Sequence, residues 1–264
     1  MRKNCILIVI ALLHTLLSTA QIINIDRTDT SAYQKKAIWQ GKLMLGMVVD
    51  KEKETLVSGN NFVDVALQKY KDLFIVSSSE RFSYDGSTSF LNTGYAHIRW
   101  RHNYKNKLHE ESFIQFQWDA NRGMLHRYVA GGNLRYNLWH KRAWEMTVAS
   151  GFFYENELWD YSAVDSAKIP LNATNQTANK VRSNTYIKWE GSPSPVSHLA
   201  AVIFYQAPVN DFISPRVSAN VNFTVDVSKH FSFGLLYNCI YDAKPVVPIF
   251  KFYYSLANSL VYKF

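Results

Sequence analysis

The stretch FYYSLANSLVYKF, residues 252–264, decides how the rest of the chain is read. Phe252, Tyr254, Leu256, Leu260, Tyr262 and Phe264 share one parity, broken only by Asn258. Ser255, Ala257, Ser259 and Lys263 occupy the other, with Tyr253 and Val261 as exceptions. A period of two is the side-chain repeat of a β-strand, so the stretch predicts a strand with one apolar and one polar face. Strands of soluble domains are commonly about 5–6 residues long, so a strand of this length needs a reason.

The same alternation recurs upstream. Trp39, Leu43, Leu45, Met47 and Val49 share a parity, as do Val63, Val65 and Leu67. Phe90, Ala96, Ile98 and Trp100 oppose Tyr95, His97, Arg99 and Arg101. Ile114, Phe116 and Trp118 oppose Gln115, Gln117 and Asp119. Tyr128, Leu134, Tyr136 and Leu138 oppose Asn133, Arg135 and Asn137. Trp144, Met146, Val148, Phe152 and Tyr154 oppose Glu145, Thr147, Glu155 and Glu157. Further segments follow around Ile187, Ile203, Val221 and Leu235, giving about twelve strands and no helix beyond two turns.

Two architectures fit: a soluble sandwich or lipocalin-like barrel with its apolar face inward, and a membrane barrel with that face outward. Three features favour the second. Several strands carry enough alternating residues for a tilted membrane crossing of about 9–11 residues. Trp39, Trp100, Trp118, Trp144 and Trp189 fall on the apolar parity near strand ends, where aromatic girdles sit. The even-numbered connections are short, whereas WDYSAVDSAKIPLNATNQTANK (159–180) follows the seventh strand and QAPVNDFISP (206–215) the ninth. The expected fold is therefore all-β: an antiparallel transmembrane β-barrel of about 12 strands, with N- and C-termini periplasmic and the last strand pairing with the first.

The beginning of the chain agrees. MRKNCILIVIALLHTLLSTA (1–20) has a basic start, an apolar centre and a small-residue exit, the pattern of a signal peptide. Residues 21–36 read as a short irregular segment and 37–264 as the barrel. Cys5 lies in the signal, so Cys239 would be the only mature cysteine and no intrachain disulfide could form. The formal charge of +8 falls to 8 − 2 = +6 without Arg2 and Lys3, and the basic residues are scattered rather than clustered, which argues against nucleic acid as a partner.

ESFIQFQWDANRGMLHRYVAGGNLRYNL (111–138) and FSFGLLYNCIYDAKPVVPIFKFYYSLANSLVYKF (231–264) carry the patterns E-x-F-x-Q-x-Q, R-x-x-x-G and Y-x-x-x-Y-D and the aromatic end. In these the chain resembles the salt-induced outer-membrane proteins, an uncharacterised family of outer-membrane β-barrels from Gram-negative bacteria with a domain of unknown function. The resemblance implies a fold and an outer-membrane location; that family supplies no catalytic residue to transfer. The terminal strand, with Tyr262 and Phe264, also resembles the signal read by the outer-membrane barrel-assembly machinery. Partners implied are that machinery, periplasmic chaperones and outer-membrane lipid.

No catalytic or metal-binding pattern stands out. His109-Glu110-Glu111 begins like a zincin motif, but the second histidine is missing and the segment reads as a strand. A lipid hydrolase would need a Ser–His pair on the apolar face. His126 is the one histidine read onto that parity, and no serine is assigned to it. No cofactor, metal or enzymatic activity is expected. His97, Arg99 and Arg101 share the polar face, where they would either meet an anionic solute or join a lumen network. A hairpin turning near Gly123 sets Asp119 opposite Arg127 and Glu111 opposite Arg135; a second, turning near His140 and Lys141, brings Glu145 to Arg135. The expected function is thus an integral barrel with a charge-networked lumen and an envelope or surface role. The alternatives are a narrow solute or anion channel and, third, a lipid hydrolase.

Overall fold

The structure, a computed structural model, describes residues 37–51, 54–86, 88–141 and 143–262. The expected signal peptide (1–20), the irregular segment (21–36) and Phe264 lie outside the described residues.

Twelve strands follow one another: β1 (Ile38–Lys51), β2 (Thr55–Lys69), β3 (Asp72–Asp85), β4 (Thr88–His102), β5 (Leu108–Asp119), β6 (Met124–Lys141), β7 (Trp144–Trp159), β8 (Gln176–Ser194), β9 (Ser197–Pro208), β10 (Arg216–Asp226), β11 (Phe231–Asp242) and β12 (Phe252–Tyr262). They form one antiparallel sheet in sequence order, each strand bonded to its chain neighbours. Apart from two single-turn 3₁₀ segments (Ala120–Arg122 and Ser166–Lys168) no helix occurs among the described residues, and none is long and apolar enough to cross a membrane. No ladder joins β12 to β1 among the described residues, so the expected last-to-first pairing is not observed there. β1 accordingly keeps both faces exposed along most of its length.

The sheet curls until distant strands touch. Arg122, between β5 and β6, lies 5.1 Å over the ring of Tyr253 on β12. Arg216 on β10 reaches Glu155 on β7 at 3.3 Å. Curling separates the two parities. The convex face carries Leu43, Val76, Ile98, Ile114, Leu134, Phe152, Ile187, Ile203 and Leu256, all exposed. The concave face buries Arg99, Glu111, Gln117, Arg127, Arg135, Glu155, Arg182 and Asn184. A water-soluble protein shows the opposite preference, because charged groups are seldom buried unless paired.

All odd-numbered connections lie at one end of the sheet and all even-numbered ones at the other, as a meander dictates. The odd end has the longer connections, 160–175, 209–215 and 243–251; the even end has 70–71, 103–107, 142–143, 195–196 and 227–230. Convex aromatics gather near both ends. At the even end Trp144 stacks on Trp189 at 4.8 Å and Phe74 on Trp100 at 6.2 Å. Towards the odd end Phe116 packs against Tyr128 at 4.9 Å, and Trp118 donates to Asn92 Oδ1 at 2.7 Å.

Candidate functional site: a charge network on the concave face

Pairing puts residues from neighbouring strands side by side on one face. One row across eight strands reads Arg101, Glu111, Asn133, Gly151, Asn184, Gln206, Arg216, Asp242. Its side chains bond along most of its length. Arg101 Nε donates to Glu111 Oε2 at 2.9 Å, and Asn133 Nδ2 donates to Glu111 Oε1 at 2.9 Å. Asn184 Nδ2 donates to Asn133 Oδ1 at 3.0 Å, and Gln206 Nε2 donates to Asn184 Oδ1 at 3.1 Å. Gly151 makes this row continuous. A Cβ there would lie 2.7 Å from Asn133 Oδ1 and 2.0 Å from the Gly132 carbonyl oxygen.

Two carboxylate centres organise the face. Towards the even end, Glu111 takes Arg101, Arg135 Nη1 at 3.3 Å and Arg99 Nη1 at 3.5 Å on Oε2. Its Oε1 accepts from Tyr186 Oη at 3.0 Å as well as from Asn133. Towards the odd end, Glu155 meets Arg127 Nη2 at 2.7 Å, Arg216 Nη1 at 3.3 Å and Arg182. Glu157 Oε1 forms ion pairs with Arg127 Nε at 3.1 Å and Arg216 Nη2 at 3.0 Å. Arg216 also holds Asp242 at 2.9 Å. A planar guanidinium with five donors in a fixed fork is suited to bridging carboxylates in this way, whereas a lysine offers a compact point charge with three donors. A second amide path, from Gln115 Nε2 to Gln117 Oε1 at 2.5 Å and from Arg127 Nη1 to the same Oε1 at 3.2 Å, links the region of His97 to the odd-end centre.

Between the centres the concave face turns apolar. Phe113, Val129, Ala149, Phe153, Tyr186, Val202 and Phe204 form a buried cluster. Phe113 lies one inward position beyond Glu111, and Phe153 one short of Glu155. The residue paired with both rings is Gly131, where a Cβ would come 2.4 Å from the Phe153 Cβ. The glycine thus leaves room for the rings, whose centroids are 6.4 Å apart.

A smaller apolar cluster stands nearer the odd end. Val247 from the 243–251 connection folds inward onto Met124, Trp159 and Val164. The base of that connection is tied by Asp242 N–H to the Lys251 carbonyl at 2.8 Å. Its Lys244 Nζ also donates to Asp211 of the 209–215 connection at 2.6 Å. That bond holds the Asp211 carboxyl below its usual range.

Of the residues singled out from sequence, Glu111, Arg135, Arg99 and Arg101 come together around one carboxylate, and Arg127 joins the other centre. His97 is buried beside them, its Nδ1 3.0 Å from Gln115 Oε1. Two expected pairings are corrected. The β5–β6 register sets Glu111 against Asn133 and Gln117 against Arg127, so Asp119 does not face Arg127. Asp119 instead binds Arg122 at 2.9 Å in the 3₁₀ turn. The β6–β7 ladder sets Arg135 against Ala149 and Glu145 against His140, because β6 runs on to Lys141 and turns later than expected. Half-buried Glu145 lies near Thr147, whose Oγ1 donates to it at 3.4 Å. His126 is joined on the convex face by His102, which follows Trp100 on the same parity and pairs with Asp72 at 2.8 Å. Tyr262 ends β12, and Phe264 lies outside the described residues.

Sequence reading overlooked Glu155, Glu157, Arg182, Arg216 and Tyr186 as network members. Glu155, Glu157 and Arg216 stood on the expected polar parity. Arg182 precedes the segment read as the eighth strand, which begins earlier, at Gln176.

Comparison with protein families, curated proteins and solved structures finds no match to this chain.

Proposed function

We propose that this chain is an integral β-barrel of the bacterial outer membrane, exported by residues 1–20, with a lumen filled by its own side chains and an envelope or surface role without catalysis. The observation that carries the reading is the inversion of the two faces: an apolar convex wall around a buried ionic interior. In water such a wall would be an association surface, whereas in a bilayer it is the solvated face. Strands of 11–19 residues are long enough for a tilted crossing. Closure would pair β12 with β1, removing two open edges that lipid does not tolerate. The resemblance to the salt-induced outer-membrane proteins supports the same location, and outer-membrane lipid, the assembly machinery and periplasmic chaperones would be its partners.

The aromatic cluster between two ionic centres supports a closed lumen over a solute channel. Carbonate extraction and single-channel recording test the two halves of the proposal. The protein should stay with membranes in carbonate and leave a planar bilayer silent. Release without detergent would indicate a soluble sheet, and steady unitary currents would indicate a channel.

A further inference from the structure

A cavity of about 310 Å³ opens at the odd end, where β8 and the end of β9 meet the 209–215 connection. Its polar wall includes Lys180, Arg182, Asn210, Asp211, Ser214 and Lys244. Arg182 is committed to Glu155 below. Lys244 is held by Asp211, which Ser214 also hydrogen-bonds. Among the described residues the side chains of Lys180 and Asn210 have no hydrogen bond or ion pair within the protein, although the Lys180 charge helps hold the Asp211 carboxyl down. The cavity thus combines two ammonium groups, one already oriented, with an exposed amide that has no side-chain partner within the protein. Sites of small ligands begin at about 300 Å³, which accommodates a sugar-sized body as well as its charged group.

We propose that this cavity binds a phosphate monoester, with Lys180 Nζ, Lys244 Nζ and Asn210 Nδ2 as the groups that receive it. Phosphate matches the set because it offers three strong acceptor oxygens and close to two negative charges at neutral pH, and lysine serves as a point-charge partner for it. Asp211 holds Lys244 Nζ at the cavity wall and limits the positive excess, so the phosphate has to displace part of the Asp211 contact. The phosphate could come from a free sugar phosphate or from a phosphorylated lipid headgroup at the rim. Binding requires the folded sheet but neither bilayer residence nor a closed lumen, so this proposal and the proposed function can fail separately.

The test uses the full mature chain in non-ionic micelles, titrated calorimetrically with inorganic phosphate, glucose 6-phosphate and glucose. In a second arm it is added to vesicles containing a phosphorylated glycolipid or the same lipid without phosphate. Saturable binding of the phosphate-bearing probes but not glucose is expected; a response confined to the phosphorylated vesicles would assign the headgroup as the source. Lys180→Ala should weaken binding by about tenfold or more, the loss of one charge-assisted contact, and Lys180→Arg should retain most of it. A β-sheet circular dichroism spectrum establishes that each variant is folded. No binding of any phosphate-bearing probe, or binding unchanged in Lys180→Ala, would overturn the assignment.

Discussion

Tyr186 on β8 donates its hydroxyl to Glu111 Oε1 on β5 at 3.0 Å, linking residues 75 positions apart. No ladder makes this contact, because β5 and β8 are not neighbours. It spans the concave side of the curled sheet directly, which is therefore narrow enough there for side chains to meet without a water layer.

Glu111 anchors three guanidinium groups in that space, with 2% of its surface exposed. Glu111→Ala should destabilise the protein by about 3–5 kcal/mol, since it leaves buried positive charge without its counter-ion. Arg135→Ala should cost less than this, because Arg99 and Arg101 still satisfy Glu111. Denaturant unfolding in micelles measures both. A loss below about 1 kcal/mol for Glu111→Ala, the range of solvated pairs, would mean that water fills the interior.

Phe153 and Phe113 occupy the apolar zone between the ionic centres. Replacing Phe153 by Ala should cost about 3–5 kcal/mol through lost burial and the void left behind. Phe153→Ala combined with Phe113→Ala should also introduce conductance into a bilayer silent with the parent protein. A double variant that folds yet stays silent would place the obstruction elsewhere, with the inward-folded 243–251 connection next to be removed.

Cys239 is paired with Ala219 and Tyr254 on the convex face, away from the ionic interior. In bilayers it should resist a charged thiol reagent and react with an apolar maleimide. After unfolding both should react. Rapid labelling by the charged reagent in intact vesicles would contradict a lipid-facing wall.

The 160–175 connection joins two strands at the odd end and holds the exposed Ile169 and Leu171. An epitope inserted after Pro170 should be detected by antibody on intact cells. Detection only after permeabilisation would reverse the proposed orientation, in which the odd end faces outward.

The faces of the sheet were largely legible in the sequence, because parity is a local property. Every parity read for β4 to β7 keeps its face in the structure. Register was not. Glu111 pairs with Asn133 where Arg135 was expected, a slip of 135 − 133 = 2 positions, and a slip of two preserves the face while changing the partner. Its source is the 3₁₀ turn, where Gly123 N–H bonds the Ala120 carbonyl at 3.0 Å, together with the irregularity between Gln117 and Asp119. The Glu155 centre was harder still to foresee. It gathers Arg127, Arg182 and Arg216 from three strands, and only the curvature of the whole sheet brings Arg216 to it. Alternation alone does not tell inside from outside; strand length, tryptophan placement and connection lengths pointed the apolar parity outward, and the buried charged parity agrees.

Because every observed ladder joins strands adjacent in sequence, each pairing closes only a short segment of chain. Loop entropy rises slowly with length and contact order governs folding rate, so hairpins can form in the order in which they emerge. Seam formation between β12 and β1 would be different in kind, bringing together positions at opposite ends of the sheet. Until then both edges offer unpaired backbone groups to any passing strand. If the sheet closes as proposed, the longest-lived intermediate in biogenesis should be an open, fully patterned sheet, and its lifetime rather than the stability of the finished fold would set the need for protection of its edges.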